Sequence, residues 1–189
     1  MTAFGESPIQ EIRSHLLTEQ KVQLFIKRDD QLHPYISGNK WRKLKYNLQA
    51  ARAEKHTRLL TFGGAYSNHI AAVAAAGQAF DFQTIGVIRG EKVVPLNPTL
   101  AFATQCGMEL HFVSRTAYRQ DKADIAENIQ RKIGACYLLP EGGTNCFALK
   151  GCTEIVTEAE EQLQGAPDFY CLCAGTGGTA AGVIAAAEQ

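Results

Sequence analysis

Leu59-Leu60-Thr61-Phe62-Gly63-Gly64-Ala65-Tyr66-Ser67-Asn68-His69 runs from a short apolar strand through a glycine pair into the start of a helix. The strand occupies 59–62, the glycines end it, and the alanine-rich stretch 70–79 continues as a helix whose small side chains allow close packing. The same order recurs downstream. Residues 84–88 are strand-like, and Asn97-Pro98 supplies an N-cap and an N1 proline for a helix through Gln105 that stops at Gly107. A strand at 110–113 precedes a helix at 122–133 ended by Gly134, and 137–139 is again strand-like. Beyond a glycine turn, Leu149, Cys152, Ile155, Val156 and Ala159 trace one helical face. Residues 168–173 predict a buried strand, and 177–187 a helix that is apolar almost all round. Upstream, 22–27 is a short strand running into the charged turn Arg28-Asp29-Asp30. Trp41, Leu44, Leu48 and Ala51 then recur at helical spacing, with Arg42, Lys43, Lys45, Arg52 and Lys55 filling the remainder of an amphipathic helix. Alternation this regular implies βαβ units and hence the α/β class, with parallel sheets and flanking helices. The last helix reaches Gln189 without a stop signal, so a fragment is expected.

A chain of 189 residues with 46% hydrophobic content can bury a real core. Nineteen basic and nineteen acidic side chains give no formal net charge, so neither nucleic acid nor an anionic membrane is favoured as a partner. Residues 1–12 are too polar for a signal peptide, and no apolar run reaches transmembrane length, which makes a cytoplasmic location the default. The six cysteines lack paired C-x-x-C spacing and the five histidines form no H-x-x-x-H pair, so no metal site is expected. Cys171 and Cys173 are expected on one face of a strand, as packing residues.

Four clusters carry candidate chemistry. Ile36-Ser37-Gly38-Asn39-Lys40-Trp41-Arg42-Lys43 places a lysine just after a glycine turn and at a helix start. Lys40 is the candidate covalent anchor of pyridoxal phosphate. A lysine bonds an aldehyde only through its neutral amine, which desolvation or a cationic neighbour such as Lys43 would favour. Taken alone, the octapeptide reads first as a basic amphipathic helix whose Arg42, Lys43 and Lys45 are solvated. In the strand-turn-helix at 59–69, Ser67 and Asn68 can cap the helix, and its N–H groups suit a substrate carboxylate. Cys173-Ala174-Gly175-Thr176-Gly177-Gly178-Thr179 makes a backbone nest for phosphate. It also fits G-x-G-x-x-A, which leaves a dinucleotide site open. Leu139-Pro140-Glu141-Gly142-Gly143-Thr144-Asn145 is a tight turn and a candidate ligand wall.

In this order the four motifs resemble the fold-type II pyridoxal phosphate enzymes of the tryptophan synthase β class. Within them the chain looks most like the 1-aminocyclopropane-1-carboxylate (ACC) deaminase/D-cysteine desulfhydrase family, from about Val22 to the last residue. The resemblance implies that Lys40 carries the cofactor covalently and moves protons during turnover, while Lys43 touches the cofactor phosphate. Asn68 would hydrogen-bond the 3′-oxygen of the pyridine ring. The Ser67 hydroxyl and the amides of Asn68 and His69 would hold the substrate carboxylate, and Gly175, Thr176, Gly177, Gly178 and Thr179 would cradle the phosphate. It further implies a two-domain architecture, with a large cofactor domain at 1–42 and 140–189 and a small domain at 43–139. The family's C-terminal portion supplies the partner of the pyridine nitrogen and a tyrosine near the substrate. Neither is in this sequence, so the large domain is expected to be incomplete and the chain alone inactive.

The leading expectation is therefore a pyridoxal phosphate deaminase or lyase that converts a small amino acid, of ACC or D-cysteine type, to a 2-oxo acid and ammonia. Its full-length parent is expected to be a homodimer. The alternatives are an NAD-binding oxidoreductase fragment, which leaves Lys40 and the Ser67-Asn68 turn unexplained, and a non-catalytic α/β domain.

Overall fold

The computed structural model describes residues 4–188. Its centre is a four-stranded sheet of β3 (Arg58–Gly64), β4 (Gln83–Arg89), β5 (Glu109–Val113) and β6 (Tyr137–Leu139), all parallel, in the order β5-β4-β3-β6. The helices between them are α3 (Asn68–Phe80), α4 (Pro98–Gln105), α5 (Arg115–Gln120) and α6 (Lys122–Ile133). Parallel neighbours require such crossovers, because a tight turn can join only antiparallel strands. Pleating divides the strand residues between two cores. Leu59 and Ile88 join the apolar residues of α3 and α4 on one face, while Leu60, Phe62, Ile85 and Val87 meet Tyr118, Ala126 and Ile129 on the other. The expected caps form at α4, where Asn97 accepts from the Leu100 N–H at 3.0 Å and Pro98 opens the helix.

The N-terminal part is built differently. β1 (Ile9–Ile12) and β2 (Leu24–Lys27), separated by α1 (His15–Glu19), pair antiparallel as a separate two-stranded sheet. The strand expected at 22–27 thus lies outside the parallel sheet, paired with a segment too polar to announce itself as a strand. Next comes α2 (Asn39–Ala53), which packs against α7 (Cys146–Leu163), and α7 packs in turn against α8 (Gly178–Ala187). Gly151 lets α7 approach α2 so closely that an added Cβ would collide with the Arg42 carbonyl. This contact corrects the amphipathic expectation for α2. Trp41 and Leu44 are buried, but so are Arg42, against α7, and Lys43, against Gly142, Thr144 and Thr176.

A second correction concerns 168–173. These residues form no strand and are largely exposed, so Cys171 and Cys173 are surface residues and not packing ones. A strand requires hydrogen-bonded neighbours, and among the described residues no strand lies beside this segment. The final helix α8 has the expected bounds, yet it buries only Gly178, Gly182 and Val183, leaving Ile184 54% exposed. Helices α1 and α5 are short and carry too little periodicity to be anticipated. No helix among the described residues is long and apolar enough to cross a membrane.

Candidate active site

Chain order runs from β3 outward through β4 to β5, then returns to place β6 on the other side of β3. The carboxyl ends of β3 and β6 therefore bound the crevice where a parallel sheet reverses its strand order, the usual seat of a ligand in such folds. Residues 64–69 leave one side of that crevice and 140–145 the other.

At the head of α2, Gly38 turns the chain with φ +61° and ψ −150°, a conformation that a side chain would resist. Lys40 and Lys43, three residues apart on α2, both face the crevice. The Lys40 amine donates to Asn39 Oδ1 at 2.7 Å, and Asn39 Nδ2 donates to Thr179 Oγ1 at 2.7 Å, which ties the lysine to the head of α8. Lys43, only 3% exposed, donates to the Gly142 carbonyl at 3.0 Å and to Thr144 Oγ1 and Thr176 Oγ1 at 3.3 Å each. Among the described residues no carboxylate pairs with either amine. Burial pushes the Lys40 pKa below the ordinary lysine value, and the nearby Lys43 charge pushes it the same way. Burial likewise lowers Lys43. Both influences offered for Lys40 from sequence operate, and desolvation is the larger.

Ser67 is the N-cap of α3, accepting from the Ile70 N–H at 3.3 Å. That bond occupies an acceptor site and leaves the hydroxyl hydrogen free to donate to an anion. Asn68 is exposed at the same cavity. The His69 side chain, expected to contribute only its amide, is instead buried beneath the crevice with Nε2 3.0 Å from Thr61 Oγ1. Thr61 donates its single hydrogen to the Leu139 carbonyl at 3.0 Å, so Nε2 must carry the hydrogen between them and Nδ1 is the bare nitrogen. Burial, with Lys40 and Lys43 adding to it, depresses the His69 pKa to about 3, and the ring is neutral at physiological pH.

The loop before α8 completes the wall. Gly177 stands at the N-cap with φ +80° and no side-chain cap, so the first amides of α8 are open to a ligand. Gly178 sits behind it, where an added Cβ would lie 2.7 Å from Thr144 Oγ1 and 3.1 Å from the Lys43 amine. Lys40, Lys43, Ser67, Asn68 and His69 line one cavity of about 420 Å³ together with Gly175, Thr176, Gly177 and Thr179. Two sparsely compensated cations facing an uncapped helix start make a site suited to a phosphate. Asn39, Thr144 and Thr61 were not singled out from sequence. Asn39 and Thr144 stood within quoted motifs, whereas Thr61 looked like an ordinary strand residue. Glu141 turns away to pair with Lys122 at 3.0 Å.

Comparison with known proteins agrees with this chemistry. The family described as pyridoxal-phosphate dependent enzyme matches residues 1–189. A Thermotoga maritima protein assigned as a candidate ACC deaminase is 34% identical over 184 residues, 95% of this chain and 58% of that protein. The mitochondrial bifunctional D-cysteine desulfhydrase/ACC deaminase of Arabidopsis thaliana is 30% identical over 176 residues, 85% of this chain and 44% of its own length. The crystal structure of an ACC deaminase homologue superposes with a TM-score of 0.80 at 27% identity, covering 98% of this chain and 57% of that one. The chain thus spans about half the length of the relatives it matches.

Proposed function

Because this chain belongs to the family of pyridoxal-phosphate dependent enzymes, we propose that it carries the lysine, the phosphate cradle and the carboxylate loop of a deaminase or lyase. The substrate is a small amino acid of the ACC or D-cysteine type, which with water gives a 2-oxo acid and ammonia, and from D-cysteine hydrogen sulfide as well. The observation that carries this reading is the convergence of Lys40, Lys43, Ser67, Asn68 and the glycine loop before α8 on one cavity.

Lys40 is the residue that bonds the cofactor aldehyde, since its lowered pKa raises the share of neutral amine. Its amine would also hold and move a proton of the substrate, at the α-carbon for a D-cysteine-type substrate but not for ACC, whose α-carbon carries no hydrogen. Lys43, Gly175, Thr176, Gly177, Gly178 and Thr179 hold the phosphate, which would compensate the buried Lys43 charge. Asn68, exposed at the same cavity, would hydrogen-bond the 3′-oxygen of the pyridine ring. The Ser67 hydroxyl, with the amides of Asn68 and His69, receives the substrate carboxylate at the head of α3. When bound, pyridoxal phosphate supplies the electron sink that makes bonds at the amino acid α-carbon labile. The family match over the whole chain gives no support to a nicotinamide site at Gly175.

Borohydride reduction of the cofactor-loaded protein, followed by peptide mass mapping, tests the assignment. The label is expected on Lys40 and absent from Lys40→Ala, and a label persisting in that variant would overturn the lysine. Because the chain alone is expected to be inactive, 2-oxo acid release from ACC and D-cysteine is measured in a form as long as the relatives, where it distinguishes the two substrate types.

A further inference from the structure

Beside the lysine cavity lies a second recess of about 600 Å³ lined by Gly64, Ala65, Tyr66, Ser67, Arg89, Arg115 and Arg119. Its cations come from two elements at one edge of the sheet. Arg89 is the last residue of β4, while Arg115 and Arg119 stand one helical turn apart on α5, which follows β5. The recess therefore sits over the carboxyl ends of the strands, where parallel sheets receive ligands, but on the β4–β5 side and not at the β3–β6 crevice. It shares only Ser67 with the lysine cavity.

The three arginines lack acidic partners. Among the described residues none forms an ion pair, and neighbouring Glu141 is engaged by Lys122. The Arg89 guanidinium lies 5.7 Å from the centroid of the Tyr118 ring, and that ring is buried, so this cation is placed before any ligand arrives. Planar guanidinium forks pair with carboxylate and phosphate oxygens two at a time, and several around one recess favour an anion of more than one charge. We propose that Arg89, Arg115 and Arg119 form a second anion-binding site. It takes a small carboxylate or phosphate bearing at least two negative charges, beside the cofactor cavity and sharing only Ser67 with it.

The test follows the arginine Nε–Hε signals of the ¹⁵N-labelled chain during titration with inorganic phosphate, succinate and acetate. Saturable shifts of these three side chains are expected with phosphate or succinate, with whichever binds more tightly identifying the preferred oxyanion, and acetate about tenfold weaker. Arg115→Gln combined with Arg119→Gln should weaken binding by about tenfold or more. Lys43→Met, which removes a cation from the other cavity, should leave it unchanged. Equal affinity in the double arginine variant, loss of binding in Lys43→Met, or no saturation by either dianion would each overturn the proposal. The borohydride label on Lys40 is read separately, so either site can fail without the other.

Discussion

His69 shows at the scale of one residue how burial sets chemistry. Its ring is 2% exposed, bonded through Nε2 to Thr61, and lies under two lysines. A folded-state pKa near 3 lies below the ordinary 6.5, so between those values the unfolded chain binds a proton that the folded one refuses. Stability conferred by this group is therefore full above the ordinary value and falls as pH drops toward 3, by up to about 1.4 kcal/mol per pH unit. Urea unfolding at pH 7 and pH 5 should show a larger loss for the wild type than for His69→Gln. Equal losses would mean that the ring is protonated in the folded protein as readily as in the unfolded one. The sequence offered His69 only through its backbone amide, as a contact for the substrate carboxylate at the start of α3. Its burial depends on where β6 lies, which no local pattern encodes.

The element on which the site depends is α2, held by Arg42. This side chain is 2% exposed and pairs with Asp29 at 2.9 Å and with Glu158 of α7, while Lys27 of β2 reaches Glu158 at 2.9 Å. Burial alone would lower the Arg42 pKa, but its bonds to Glu158 and Asp29 hold it well above the ordinary arginine value. Arg42→Met would leave Asp29 and Glu158 partly uncompensated and should cost about 3 kcal/mol. Lys45, paired with Glu154 at 2.7 Å but only half-buried, provides the contrast. Lys45→Met should cost less than about 1 kcal/mol. Urea midpoints of the two variants measure the difference, and equal losses would show that the buried network contributes no more than the outer pair. Helix α2 was legible from the spacing of Trp41, Leu44, Leu48 and Ala51. That Arg42 and Lys43 are buried was not legible, because a basic residue on an amphipathic helix is ordinarily solvated.

At the scale of the molecule, the stretch from residue 169 through α8 leaves large apolar side chains open. Phe169 is 85% exposed, Ile184 of α8 54% and Leu172 41%. Large apolar side chains uncovered in this region favour self-association. The 189-residue chain should therefore show a mass that rises with concentration in light-scattering chromatography, and Phe169→Glu with Ile184→Glu should reduce it. A wild-type mass that stays at one chain across concentrations would refute this. The division expected from sequence, with 43–139 between 1–42 and 140–189, puts its first boundary inside α2. Lys40 and Lys43 of this helix face the cavity, while Leu44, Leu48 and Ala51 enter the core around the parallel sheet. We propose α2 as the joint between the two units.

Local rules sufficed for the sequence to determine the α/β class, the parallel sheet from β3 to β6, the caps at Ser67 and Asn97, and the positions of the lysine and glycine motifs. Strand period, helix period, proline and glycine act within a few residues of themselves. Three matters were decided only by tertiary structure: the antiparallel pairing of β2 with β1, the unpaired state of 168–173, and the burial of Arg42, Lys43 and His69. Each turns on which segments meet across long stretches of chain. A strand exists only with a hydrogen-bonded neighbour, and a lysine loses its solvation only when another element covers it.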